Sequence, residues 1–76
     1  MKDLLEFLAK SLVDHPDQVV VSETGDEMVT HFELKVAPED MGKVIGKQGK
    51  IAKSLRALIK ARASKEGRKV TVDIVS

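Results

Sequence analysis

Nine consecutive residues, Val44-Ile45-Gly46-Lys47-Gln48-Gly49-Lys50-Ile51-Ala52, have the types and spacing best suited to chemistry in this chain. At Gly46 and Gly49 no Cβ shields the backbone, so a ligand can approach the amide groups directly. Gly49 falls where a new helix would begin, which turns free N–H groups and a positive dipole end outward. Such a place attracts phosphate. Lys47 and Lys50 add positive charge beside it. No catalytic set accompanies these residues, so the pattern predicts a loop that holds an anionic backbone rather than an enzyme.

Rival readings of the same residues fail on spacing. A P-loop needs four residues between its glycines and a Ser or Thr after the lysine; Gly42 and Gly46 have three between them, and Gln48 follows Lys47. The dinucleotide fingerprint lacks its G-x-G. His15 and His31 are the only histidines and have no Cys, His or acid cluster at metal spacing. Glu39 and Asp40 are adjacent at a helix start, where acids favour the dipole. No catalytic residue, metal or cofactor is expected.

The elements that must position the loop are legible from periodicity. Residues 3–13 read as a helix, with Asp3 and Glu6 resembling a capping box and Leu4, Leu8 and Leu12 repeating as a stripe that Leu5, Ala9 and Val13 broaden. Pro16 ends it. Residues 18–22 read as a short strand, 24–27 as a turn, and 28–36 as a strand with Met28, Thr30, Phe32, Leu34 and Val36 on one face. The two strands form an antiparallel hairpin. Pro38-Glu39-Asp40 starts a short helix that Gly46 would stop. A second helix runs from just after Gly49 to about Glu66, with Gly67 as its stop. Its inward positions are Ile51, Leu55, Leu58 and Ile59, flanked by Ala52 and Ala63. Lys50, Lys53 and Lys60 fall on the opposite side, with Arg56 at the boundary and Arg62 at the edge of the apolar arc. Residues 68–75 alternate again, with Val70, Val72 and Ile74 inward. The order is α-β-β-α-α-β. The helical crossover before the last strand permits parallel pairing, so the expected fold is α+β, a mixed three-stranded sheet covered by helices on one face.

Composition sets the outer bounds. Seventy-six residues make one domain with a thin core and little room for a deep cleft. The absence of cysteine removes disulfides and thiolate chemistry. No apolar run reaches transmembrane length, and Met1-Lys2-Asp3-Leu4 is unlike a signal peptide; a soluble, cytoplasmic protein is expected. The net charge of +1 conceals a segregation: residues 1–41 hold three bases and ten acids, residues 42–76 ten bases and two acids. Such asymmetry fits nucleic acid or an acidic partner.

At this point a resemblance becomes specific. Val44-Ile45-Gly46-Lys47-Gln48-Gly49 between two helices of an α-β-β-α-α-β chain resembles the GxxG loop of a KH domain in its bacterial, type II arrangement. Pro16-Asp17, the run Pro38-x-Asp40-x-Gly42-Lys43-Val44-Ile45-Gly46-Lys47 and the downstream Ala52 and Leu55-Arg56 are similar to the KhpA family, small bacterial proteins that are a single KH domain. The resemblance covers nearly the whole chain. It implies that the loop backbone clamps about four nucleotides of single-stranded RNA beside an apolar groove. Gly46 and Gly49 would admit the phosphates and Lys47 and Gln48 would touch them. Val44 and Ile45 would line a groove wall, while Lys43, Lys50 and Lys53, with Arg56 beside them, would supply attraction. Ala52 stands where many KH domains carry a large aliphatic residue, which implies a shallower groove. Phe7 and Phe32 are the only aromatics, too few for the stacking platforms of RRM or OB-fold proteins.

The resemblance further implies an RNA chaperone or post-transcriptional role linked to cell shape and cell wall biogenesis. It implies association with KhpB, a larger KH-containing partner, and self-association; neither a membrane nor a small-molecule substrate is expected. Two alternatives remain open. One is a protein-interaction module whose basic helix docks on an acidic partner or ribosomal surface. The other is a helix-turn-helix-like DNA binder, against which the outward face offers mainly Lys rather than bidentate base readers.

Overall fold

The structure is a computed structural model that describes residues 1–76, the side chains of Lys47 and Gln48 excepted. Helix α1 spans Lys2–Leu12, followed by a single 3-10 turn at Pro16–Gln18. Strand β1, Val20–Gly25, and strand β2, Val29–Lys35, form an antiparallel hairpin with Val20 opposite Lys35. Helix α2 covers Pro38–Lys65, and strand β3, Lys69–Val75, pairs parallel to β2 with Val29 opposite Lys69. The sheet order is β1-β2-β3. α1 packs on β1 and on α2, and α2 packs on β3, so the helices share one face of the mixed sheet.

Alternation in the strands delivers the core. Thr30, Phe32, Leu34 and Val36 point inward from β2 and its end, and Val70 and Val72 from β3. Leu5, Phe32, Leu34, Leu55 and Ile59 are each no more than 2% exposed, and burial of such side chains contributes about 1.5–3 kcal/mol apiece. The hairpin turn is closed by Asp26, whose Oδ1 accepts from the backbone N–H groups of Val29 and Met28 at 2.9 and 2.8 Å. Those two bonds, Val29's first, hold its carboxyl below the usual value.

Helix α2 is continuous by hydrogen bonding yet cannot be straight. Twenty-eight residues would span about 42 Å as a straight rod, and the longest extent of the molecule is 34 Å. Gly49 inside it has φ +68°, a left-handed conformation that α-helical geometry excludes and glycine adopts cheaply. Gly49 therefore divides α2 into two limbs, and the expected α-β-β-α-α-β order stands. The expected stop at Gly46 does not: Gly46 is not left-handed, and the change of direction falls three residues later. At the far end, Glu66 caps the helix and Gly67 has φ +69°. The Gly67 N–H donates to Ser64 O at 3.1 Å and the Arg68 N–H to Ala63 O at 2.9 Å. This pair of bonds is the Schellman motif.

Several sequence expectations shift by a fraction of a turn. The α1 stripe is centred on Leu5 and Ala9, at 0% and 1% exposure, with Leu4 and Leu12 near 40% exposed and Phe7 at the surface. Asp3 lies in the first turn and Met1 is the cap, so no side-chain capping box forms. In the second limb of α2 the buried stripe is Ala52, Leu55, Ile59 and Ala63. Two alanines on that stripe move its centre away from Leu58, which is exposed, and leave Ile51 half-buried. Met28 lies outside β2 and is exposed.

One buried carboxylate ties the segment after α1 to α2. Asp40, 1% exposed in the first turn of α2, accepts from the backbone N–H of Asp14 at 3.1 Å and of His15 at 3.0 Å. Removing it strands two backbone donors, each costing about 1–3 kcal/mol when left unsatisfied. Asp40→Ala is expected to lower the urea unfolding free energy by roughly 2–4 kcal/mol. Asp40→Asn, which keeps one acceptor oxygen, should fall between that variant and the parent.

Candidate nucleic-acid interface

The elbow at Gly49 is held by its neighbours on the α1 side. Asp14 and His15 follow α1 and reach the first turns of α2 through Asp40. Lys43 Nζ lies 3.2 Å from Asp14 Oδ1, and His15 Nε2 lies 3.6 Å from Glu39 Oε2, an ion pair when the imidazole is protonated. These contacts fix the first limb against α1 while the second limb lies on the sheet.

Between the limbs is a depression of about 270 Å³ lined by Gly42, Lys43, Gly46, Lys50 and Ile51. A neighbouring one, of about 290 Å³, is lined by Leu12, Lys50, Ile51 and Ser54. Lys43, Gly46 and Lys50, three of the residues singled out from the sequence, are thus brought together on one concavity. Gly42 and Ile51 join them. Their signal was present in the sequence: Gly42 and Gly46 are spaced i, i+4, which puts them on one face of a helix.

The other expected residues scatter. Val44 is 1% exposed and belongs to the core, so it offers a base no surface; its neighbour Ile45 is 45% exposed and does. Lys53 is exposed. Arg56 is half-buried, and its Nε donates to Val72 O at 3.2 Å, covering part of the free edge of β3. Gly49 is half-buried at the elbow. Lys47 and Gln48, the pair expected on the phosphates, lie outside the described residues.

The glycines differ in what the fold asks of them. Gly49 needs its left-handed backbone. Gly42 and Gly46 do not: neither has positive φ, and a Cβ built on either meets no atom within 4 Å. A glycine inside a helix costs about 0.5–1 kcal/mol relative to alanine. Two glycines that the fold does not require thus leave a stretch of bare helical backbone facing the concavity, flanked by Lys43 and Lys50.

Among the described residues no cluster of His, Cys, Asp and Glu suits a metal, and no helix is long and apolar enough to cross a membrane. A mixed β1-β2-β3 sheet with helices on one face, whose crossover bends at a glycine of a Gly46-x-x-Gly49 motif, is the architecture of a KH domain. The chain belongs to the KhpA/KhpB KH-domain family, whose pattern it matches over residues 2–74. It is 64% identical over 75 residues to the RNA-binding protein KhpA of Clostridium acetobutylicum, covering 99% of this chain and all of that one. It is 59% identical to the KhpA of Clostridium perfringens over the same shares. It is 45% identical to that of Aquifex aeolicus, over 99% of this chain and 95% of the relative. These relatives are named for binding RNA and not for a reaction. No solved structure matches the chain significantly.

Gly42→Ala and Gly46→Ala are each expected to stabilise the protein by about 0.5–1 kcal/mol. In a domain of this size that raises Tm by roughly 2–8 °C. Gly49→Ala is expected to lower Tm, because alanine carries a penalty of about 1–2 kcal/mol in the left-handed region. Differential scanning calorimetry of the three variants checks the ordering.

Proposed function

We propose that this chain is a non-enzymatic RNA-binding module that holds unpaired RNA against the elbow of α2. The carrying observation is the pair of glycines at 42 and 46, which weaken the helix without answering any steric need and bare its backbone beside Lys43 and Lys50. The loop 46–49 admits phosphates, Lys47 and Gln48 contact them, and Ile45 offers apolar surface to a base. Lys53 and Arg56 extend the positive face along the second limb. The names of the full-length relatives support RNA as the ligand.

A single module of this size engages few nucleotides, so strong binding requires a second module and the avidity it brings. A KhpB-type, larger KH-containing partner fits that need, as does a second copy of the chain. Exposed Leu4 and Phe7 on α1 support an association surface separate from the elbow. On this reading the protein acts as an RNA chaperone or post-transcriptional regulator in the cytoplasm, in the service of cell shape and cell wall homeostasis.

The test is fluorescence anisotropy with an unpaired RNA and a duplex DNA competitor across a salt series. The parent should bind the RNA with a log–log salt slope of about −0.7 per phosphate neutralised, and duplex DNA should compete poorly. At Gly46 a Cβ meets no neighbouring atom, so Gly46→Asp should remain folded, yet its carboxylate stands where phosphate is to sit. RNA affinity should drop at least about tenfold, the effect of a lost charge-assisted contact plus repulsion. Equal binding by parent and variant would leave the basic helix a generic polycation. Retained RNA binding with loss of protein pairing would favour the protein-interaction alternative.

A further inference from the structure

The segregated positive charge is not confined to the elbow. A third depression, of about 370 Å³, lies at the start of β3 and is lined by Val29, Lys60, Arg68, Lys69, Val70 and Thr71. Its three cations come from three places: the second limb of α2, the turn after it, and the first residue of β3. No carboxylate lines it, and none lies within ion-pair distance of Lys60, Arg68 or Lys69 among the described residues, whereas Lys10, Lys43 and Arg62 each have a carboxylate partner.

Arg68 makes this a built site rather than a chance gathering of lysines. Its backbone is pinned by the bond from its N–H to Ala63 O. Its Nη2 donates to Thr30 Oγ1 at 2.7 Å, and Thr30 is 3% exposed. Its Nε is buried with no acceptor. A guanidinium drawn partly out of water with a donor unmet and no counterion is unfavourable. An anion beside it restores that balance, and phosphate matches the guanidinium fork in shape and charge.

We infer that Lys60, Arg68 and Lys69 form a second phosphate subsite, separate from the elbow, which takes a phosphate of the same RNA strand. The inference rests on the RNA-binding reading above. Eleven helical rises separate Gly49 from Lys60, about 16 Å, so one phosphate cannot serve both places. A strand reaching from one to the other passes Lys53 and Arg56, and its footprint exceeds the roughly four nucleotides a single glycine loop clamps.

The experiment compares unpaired oligouridylates of about four and about ten nucleotides, within the footprint range of small single-strand binders. They are titrated against the parent, Lys60→Gln/Lys69→Gln, and a control of equal charge, Lys2→Gln/Lys35→Gln. All four lysines are exposed, so both variants should fold. Inorganic phosphate is titrated into the parent separately, reading the backbone amides of residues 68–71 by NMR. The Lys60/Lys69 variant should lose about tenfold in affinity for the longer RNA, and its salt slope should flatten by about 0.7–1.4, one or two phosphates. It should bind the shorter RNA as the control does. Phosphate should shift the amides of 68–71 in the parent. Equal losses in variant and control, or amides of 68–71 unmoved by phosphate, overturn the subsite. If phosphate moves those amides while neither RNA binds the parent, the subsite stands as a site for free phosphate or a nucleotide, and the RNA reading falls instead.

Discussion

The parallel pairing of β3 with β2 is the constraint on which the rest of this structure depends. Two parallel neighbours cannot be joined by a tight turn, because the chain must travel back along the sheet before the second strand begins. Here it leaves β2 at Lys35 and re-enters beside Val29. The second limb of α2, residues 50–65, is about 24 Å long, and the seven residues of β3 span about 23 Å. That limb alone returns the chain. The first limb is surplus length, and it requires the bend at Gly49. The concavity at Gly42, Lys43, Gly46, Lys50 and Ile51 is a product of that geometry.

Surplus helix must still be held, and its holding explains Asp40. A buried carboxylate is tolerated only where donors satisfy it, and the two backbone N–H groups of Asp14 and His15 do so. The same segment supplies Asp14 to Lys43. A short stretch after α1 therefore clasps the first limb, and α1 is a brace for the elbow as well as a lid on the sheet. At this clasp one acid of the first half of the chain, Asp14, meets one base of the second, Lys43. The ion pair is exposed and contributes little to stability; its consequence is to set where Lys43 stands relative to the bare backbone of Gly42 and Gly46.

The sequence disclosed most of this architecture because the strands alternate cleanly and the helix ends carry strong punctuation. β2 shows both faces in its pattern, Pro38 and Gly67 mark the ends of α2, and Gly46 and Gly49 mark the elbow region. It was less informative where two stripes compete. On α1, Leu4, Leu8 and Leu12 outnumber Leu5 and Ala9, yet the small Ala9 lets the helix sit close to the sheet and Leu5 takes the buried position. On α2, Ala52 and Ala63 win over Leu58 for the same reason. Periodicity weighs side chains by hydrophobicity, whereas packing between layers weighs them by how closely two backbones must approach. The site shows the same limit. Gly46 and Lys50 stand out by type and spacing, whereas Lys43 follows from the family resemblance. Val44, expected in the groove wall, is turned inward by the first limb, and Gly42 enters the sequence reading without a site role, because its helical backbone needs nothing from being glycine.

That last feature separates stability from function most directly. A glycine with positive φ, such as Gly49, answers to the fold, and its presence says nothing of a ligand. A glycine with helical φ and open space around its Cβ answers to nothing inside the molecule. Its cost to the helix is real, about 0.5–1 kcal/mol, in a small domain whose total stability is only about 5–15 kcal/mol. Two such positions face one concavity, four residues apart and flanked by lysines. The helix forgoes side-chain cover on that face, while its backbone N–H groups stay committed to the helical ladder. That cost falls on the wall of the concavity, where the proposed RNA contact lies.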